Sequence, residues 1–214
     1  MTIKTDGTIL QIVERPFKKG ENSSMARKLS FNSDVILEKI MIYFWKNGFE
    51  ATGFRELTIA TGIKTQSLYN AFGNKNELFY QALNRYVSTF SQLSTQIIQS
   101  NKTPEQKLRD LLIFDTKPAN YPQGCLVVNS LAKLDQIDPR LTQIANKQFD
   151  ELAANFMLVL TSMKHELRAD LPIETLASEL LLLHNGIQQV IRNPKESANI
   201  HAIVATTIKS LKKD

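Results

Sequence analysis

The sequence predicts an all-α fold of about nine helices, three short ones followed by six in the remaining two-thirds of the chain. Three observations carry this. Apolar residues recur at three- and four-residue spacing from Asp34 nearly to the C-terminus, and the alternation expected of strands is absent. Pro104, Pro139, Pro172 and Pro194 stand near predicted helix starts, where a missing N–H costs nothing. Gly48, Gly62 and Gly73 stand at predicted ends, where a left-handed residue is wanted.

Residues 1–30 read as a flexible arm. Gly7, Pro16, Gly20 and the polar run Glu21 to Ser24 break any periodicity, and Phe17-Lys18-Lys19-Gly20 is basic and turn-like. Met25-Ala26-Arg27-Lys28 has the form of a natural translation start, which leaves the upstream residues either native or derived from a vector or a misassigned start. A helix follows from Asp34 to Asn47, behind a Ser33 or Asp34 cap, with Ile36, Ile40, Tyr43 and Phe44 on its apolar side. Short helices from Phe54 to Thr61 and from Thr65 to Phe72 end at Gly62 and at Gly73-Asn74. Six more are expected over Lys75 to Gln99, Pro104 to Asp115, Gly124 to Gln136, Pro139 to Leu167, Pro172 to Arg192 and Lys195 to Lys212. The one sizeable internal loop is Thr116 to Gln123, with Pro118, Tyr121 and Pro122. This divides the chain into an arm (1–30), a three-helix domain (31–78) and a helical body (79–214).

Composition removes several functional classes. With 214 residues, 43% hydrophobic and only 8 Gly and 7 Pro, the chain is neither low-complexity nor charge-dominated. Its longest uncharged stretch, Tyr86 to Asn101, is full of Ser, Thr, Gln and Asn and cannot sit in hydrocarbon, so no membrane partner is expected. A continuous apolar leader segment is missing, which makes the cytoplasm the expected compartment. Cys125 stands alone, excluding an intrachain disulfide and every multi-thiolate metal site. His165, His184 and His201 are 19 and 17 residues apart, too far for a helical ligand pair, and phosphate-binding glycine loops and nucleophile elbows are missing. Neither an enzyme nor a metal or other cofactor is expected.

The span Phe54 to Phe72 has the shape of a helix-turn-helix, its turn centred on Gly62. Glycine allows the sharp reversal that lets a second helix project into a major groove while the first crosses the backbone. Leu57, Ala60, Ile63, Leu68 and Phe72 are placed to form the small core between the helices, leaving Lys64, Thr65, Gln66, Ser67, Tyr69 and Asn70 outward. Such side chains suit DNA: lysine pairs with phosphate or guanine, amides can bridge adenine, and hydroxyls take either. A merely solvated face has the same composition. Charge does not decide, since residues 25–80 hold 7 Lys plus Arg against 5 Asp plus Glu, a balance of 7 − 5 = +2.

The run Phe44 to Leu57, then Thr61 to Leu78, resembles the DNA-binding domain of the tetracycline-repressor (TetR) family of transcriptional regulators. The most specific element is Leu68-Tyr69-x-x-Phe72-x-x-Lys75-x-x-Leu78. The resemblance implies a phosphate contact at Thr52, base and phosphate reading by Lys64 to Ser67, and phosphate contacts at Tyr69 and Lys75, with Phe72 and Leu78 as packing. Two departures stand out: Gly73-Asn74 replaces a common Pro-Ser and is expected to loosen the hinge to the body, and Ile59 replaces a usual polar residue.

The rest resembles the variable body of the same family, which implies dimerisation and effector sensing; Gln123 to Ser130 looks like a stretch of one subgroup. Leu176, Leu180, Leu183, Ile187 and Ile191 make one apolar stripe, and Ile200, Ile203, Val204, Thr207 and Leu211 another. Either they pair with a second subunit in a four-helix interface or they face the subunit's own core. Phe90, Phe114, Cys125, Leu126, Phe149 and Phe156 are the candidate effector-pocket residues, and the same residues fit an ordinary core. The expected protein is a homodimeric repressor that binds a pseudo-palindromic double-stranded DNA operator and is released by a small-molecule effector. The alternatives are a helical small-molecule carrier without a DNA role and a redox-sensing regulator acting through Cys125, at a helix N-terminus.

Overall fold

A computed structural model describes residues 31–115, 117–132, 138–193, 195 and 198–213. The expected arm, including Lys18, Lys19, Arg27 and Lys28, lies outside the described residues. Among those described there are nine α-helices and no strand: α1 (Ser33–Asn47), α2 (Phe54–Thr61), α3 (Thr65–Phe72), α4 (Lys75–Gln99), α5 (Pro104–Ile113), α6 (Leu126–Leu131), α7 (Pro139–Ser162), α8 (Ile173–Val190) and α9 (Ile200–Ser210).

Helix α1 begins one residue before the expected start at Asp34, because the cap is Asn32, whose side chain accepts from the N–H groups of Asp34 (3.0 Å) and Val35 (3.3 Å), and Ser33 is already helical. It buries Ile36, Ile40, Met41, Phe44 and Trp45 against α4. Each such side chain contributes about 2 kcal/mol through lost apolar exposure. Trp45 is the centre of this contact, edge-on to Tyr86, Phe90 and Tyr121 at centroid distances of 4.9, 5.8 and 5.7 Å.

With 25 residues, α4 is about 37 Å long at the standard rise per residue. It packs on α1 and α3 and also on α5, α6 and α7, so it links the three-helix part to the rest. The starts of α4 and α7 are joined by Arg140, which forks onto Glu77 at 2.6 and 3.2 Å, and by Tyr80, which donates to Asp138. The Arg140 hydrogen bonds hold the Glu77 carboxyl below its usual range. On the opposite flank Glu38 of α1 accepts from Arg85 and from the Tyr121 hydroxyl, both at 3.0 Å.

Several expected boundaries shift. Helix α5 stops at Ile113 because Phe114 adopts a left-handed conformation (φ 53°) and its N–H closes on Asp110. The expected helix Gly124 to Gln136 is α6, only six residues among those described, since Gly124 has φ 84° and Cys125 is extended; residues 133–137 lie outside the description. The expected span to Leu167 divides into α7 and a short 3-10 turn, Lys164–Glu166. Helix α8 ends at Val190 rather than Arg192, and α9 is observed from Ile200, the residues before it being partly undescribed.

Most of the two apolar stripes turns inward, Ile203 excepted. Leu176, Leu180, Ile187, Ile200, Val204 and Leu211 are all buried within a single subunit, while Leu183 and Ile191 are half-buried. For the six buried side chains the partner-facing reading is therefore corrected: α8 packs on α7 and α5, α9 packs on α5, and they fill those contacts, whereas Leu183, Ile191 and Ile203 keep exposed surface. What the same helices leave exposed is Leu182 (72%), Ile203 (49%) and Val190 (41%).

Candidate nucleic-acid interface

Helices α2 and α3 are joined by Gly62 (φ 75°, ψ 7°), whose N–H closes α2 on Thr58. A β-carbon there meets nothing within 4 Å, so the demand for glycine is purely conformational; an alanine costs about 1 to 2 kcal/mol of left-handed strain. Leu57, Leu68 and Phe72 are buried between the helices and Ile63 is half-buried, as expected. Ala60 is a correction: it is exposed, and Thr61 takes the inward position, one turn after Leu57, donating its hydroxyl to the Leu57 carbonyl at 2.7 Å.

Helix α3 presents Lys64, Thr65, Gln66, Tyr69 and Asn70 to solvent, with Ser67 half-exposed. Gln66 Nε2 donates to Asn70 Oδ1 at 2.8 Å, aligning two amides one turn apart. The Thr65 and Thr58 hydroxyls meet at 3.1 Å, tying the start of α3 to α2. Lys64 occupies the cap position without a side-chain cap bond, and the first turn contains no acidic residue. The free N–H groups and positive dipole end of α3 are thus open to an anion. Lys75, the first residue of α4, lies with Nζ 4.2 Å from the Phe49 ring centroid.

The Gly73-Asn74 junction is tighter than expected. The Gly73 N–H closes α3 on Tyr69 at 2.9 Å, Asn74 caps α4 by accepting from the Glu77 N–H at 3.0 Å, and Gln81 Nε2 holds the Phe72 carbonyl at 2.8 Å.

Thr52 is a second correction. Its side chain is completely buried and its hydroxyl donates to the Gly48 carbonyl at 2.7 Å, while its N–H is bonded to Phe49. No polar atom of its side chain is left for a phosphate; it pins the turn between α1 and α2. Sequence reasoning missed Arg55, exposed in the first turn of α2, and gave no role to Ile59, which is 78% exposed on the same helix. Arg55 carried a signal, a cation in the first helix of the helix-turn-helix; Ile59 stood out only as an apolar residue at a usually polar place.

The expected effector residues gather in the body core. Phe90 and Phe114 pack edge to face at 5.2 Å and border a space of about 20 Å³, room for one water. Phe156 is fully buried and Phe149 half-buried; Leu126 faces a separate cavity near α1. Burial pushes the Cys125 thiol up, and its sulfur accepts from the Val128 N–H (3.5 Å) and Gln148 Nε2 (3.6 Å). That is the reverse of an activated thiolate, so nothing here supports redox sensing through Cys125.

Comparison with known proteins agrees with this geometry. Residues 36–82 match the family described as bacterial regulatory proteins, tetR family. Over 194 residues, 87% of this chain and 91% of the relative, the sequence is 28% identical to the HTH-type transcriptional repressor ComR of Escherichia coli strain K12. A TetR-family transcriptional regulator from Cytophaga hutchinsonii superposes with a TM-score of 0.71 at 20% identity, covering 84% of this chain and 94% of that one. The regulator CifR, solved as a cysteine mutant with 26-bp double-strand operator DNA, superposes at 0.64 with 23% identity, covering 85% and 97%. Residues 36–82 thus match the tetR family of bacterial regulatory proteins, and most of the chain is similar to an HTH-type transcriptional repressor and to TetR-family regulators of known structure.

Proposed function

We propose that the protein is a homodimeric transcriptional repressor that inserts α3 into the major groove of a pseudo-palindromic operator and is released by a small-molecule effector. The observation that carries this is α3 itself: a polar, solvent-facing helix with an open N-terminus, fixed on a buried base of Leu57, Leu68 and Phe72. In this reading Gln66 and Asn70 read base edges. Lys64, Thr65, Ser67, Tyr69 and Lys75 hold phosphate, with Arg55 added from α2 and Thr52 acting only through the turn it pins. Residues 31–78 serve as the DNA-binding unit and 79–214 as the sensing and dimerising body. No described helix is long and apolar enough to cross a membrane, which fits action on DNA in the cytoplasm.

The partner-facing surface is assigned to the exposed side of α8 and α9, with Leu182, Val190 and Ile203, because the inward stripes are already occupied. A dimer places two copies of α3 about 34–36 Å apart, one DNA turn. An effector that prefers a body with another spacing lowers operator affinity by that difference in preference.

Lys75→Ala and the pair Gln66→Ala and Asn70→Ala separate the two kinds of contact. Lys75→Ala is expected to weaken specific and random duplex alike and reduce the salt slope by about one. The amide variants are expected to relax preference at particular base pairs, at a cost of about 1 to 3 kcal/mol each. Unchanged affinity for Lys75→Ala, or an unchanged preference profile for both amide variants, moves the interface off this surface.

A further inference from the structure

A cavity of about 130 Å³ lies where the DNA-binding domain meets the body, apart from the space beside Phe90 and Phe114. One side is built from Phe44, Trp45 and the Gly48 to Ala51 turn, the other from Phe79, α6 and Arg192. Its size is close to that of an apolar cavity known to hold benzene, about 150 Å³. The aromatic wall of Phe44, Phe49 and Phe79 is tightly organised, with Phe79 5.1 Å from Phe44 and 4.9 Å from Phe49.

Two buried donors and one cation belong to its lining residues. Trp45 is 1% exposed and its Nε1–H has no acceptor among the described residues. Asn129 Nδ2, in the opposite wall, is likewise buried without an acceptor. A buried donor left unpaired costs about 1 to 3 kcal/mol, and these two lie behind the cavity wall rather than open to it. Arg192 adds a permanent positive charge at the mouth. Its stem lies against Gly124, where a β-carbon would sit 3.2 Å from Arg192 Cγ and Cδ and 2.8 Å from the Gln188 carbonyl oxygen. The lining holds one acidic residue, Glu50, which is exposed.

We propose that this cavity binds a small aromatic carboxylate, its ring among Phe44, Phe49 and Phe79 and its carboxylate toward Arg192. The ligand touches both domains at once. It also backs onto Phe49, the ring on which Lys75 rests.

Trp45 is the chain's one tryptophan, so its emission reports on the cavity wall directly. The test titrates the full chain with benzoate and follows that emission, without DNA, so it stands or falls separately from the operator reading. A saturable change is expected, with benzyl alcohol, the uncharged analogue, and the surface variant Arg192→Gln each weaker by about tenfold or more. Glu50→Gln is expected to tighten benzoate about two- to threefold by removing an exposed like charge. No saturation by about 10 mM benzoate, weaker than a ligand of nine heavy atoms should bind, overturns the proposal. So does equal response to benzoate and benzyl alcohol with Arg192→Gln indifferent.

Discussion

Gln66 and Thr52 show how differently two polar residues near one helix-turn-helix behave. Gln66 is exposed and bonded only to Asn70, so its amide can be redirected to a base edge at the cost of one exposed hydrogen bond. Thr52 is fully buried and its hydroxyl is committed to the Gly48 carbonyl. Thr52→Val keeps the shape and removes the donor, leaving a carbonyl short of its partner. Loss of about 1 to 3 kcal/mol in a denaturant melt is expected, while the salt slope for random duplex stays at the wild-type value. A slope reduced by about one would return Thr52 to the phosphate backbone. The identity of Thr52 was legible in the motif; its direction was not, because a threonine in the turn between two helices suits a buried hydrogen bond and a surface contact equally.

At the level of elements, the starts and ends of α2, α3 and α4 were legible because Gly62, Gly73 and Asn74 each have a local conformational job. The length of α6 and the facing of α8 were not. Helix α8 contains four consecutive leucines, Leu180 to Leu183, so its periodicity cannot say which flank meets α7 and α5 and which remains outside. The buried side of α8 also carries His184, whose Nδ1 lies 3.0 Å from the Leu112 carbonyl. Burial lowers its pKa from 6.5 to about 4. The neutral ring is thus the folded form, whereas the unfolded chain takes up a proton below 6.5. Stability is full above that pH and falls as pH drops toward 4, by about 2 kcal/mol at pH 5 for this group. Comparison of His184→Gln with wild type by thermal melting between pH 7.5 and 5 should show a flatter acid dependence in the variant. An identical slope in both would remove His184 as its source.

For the whole molecule, the account needs two copies of α3 held at a fixed distance by α8 and α9. The exposed side chains assigned to that contact can carry charge without disturbing the subunit, since Leu182 is 72% exposed and Ile203 49%. Leu182→Glu together with Ile203→Glu is expected to sediment as a folded monomer at micromolar concentration and to lose specific DNA binding while keeping weak, salt-sensitive binding to random duplex. A persistent dimer would place the interface elsewhere on the body. The most direct test of the central reading is selection of binding sites from randomised duplex DNA by the purified protein, repeated over a salt series. The account predicts enrichment of a pseudo-palindrome with half-sites about one helical turn apart. A folded, ligand-free protein that enriches no sequence would contradict it.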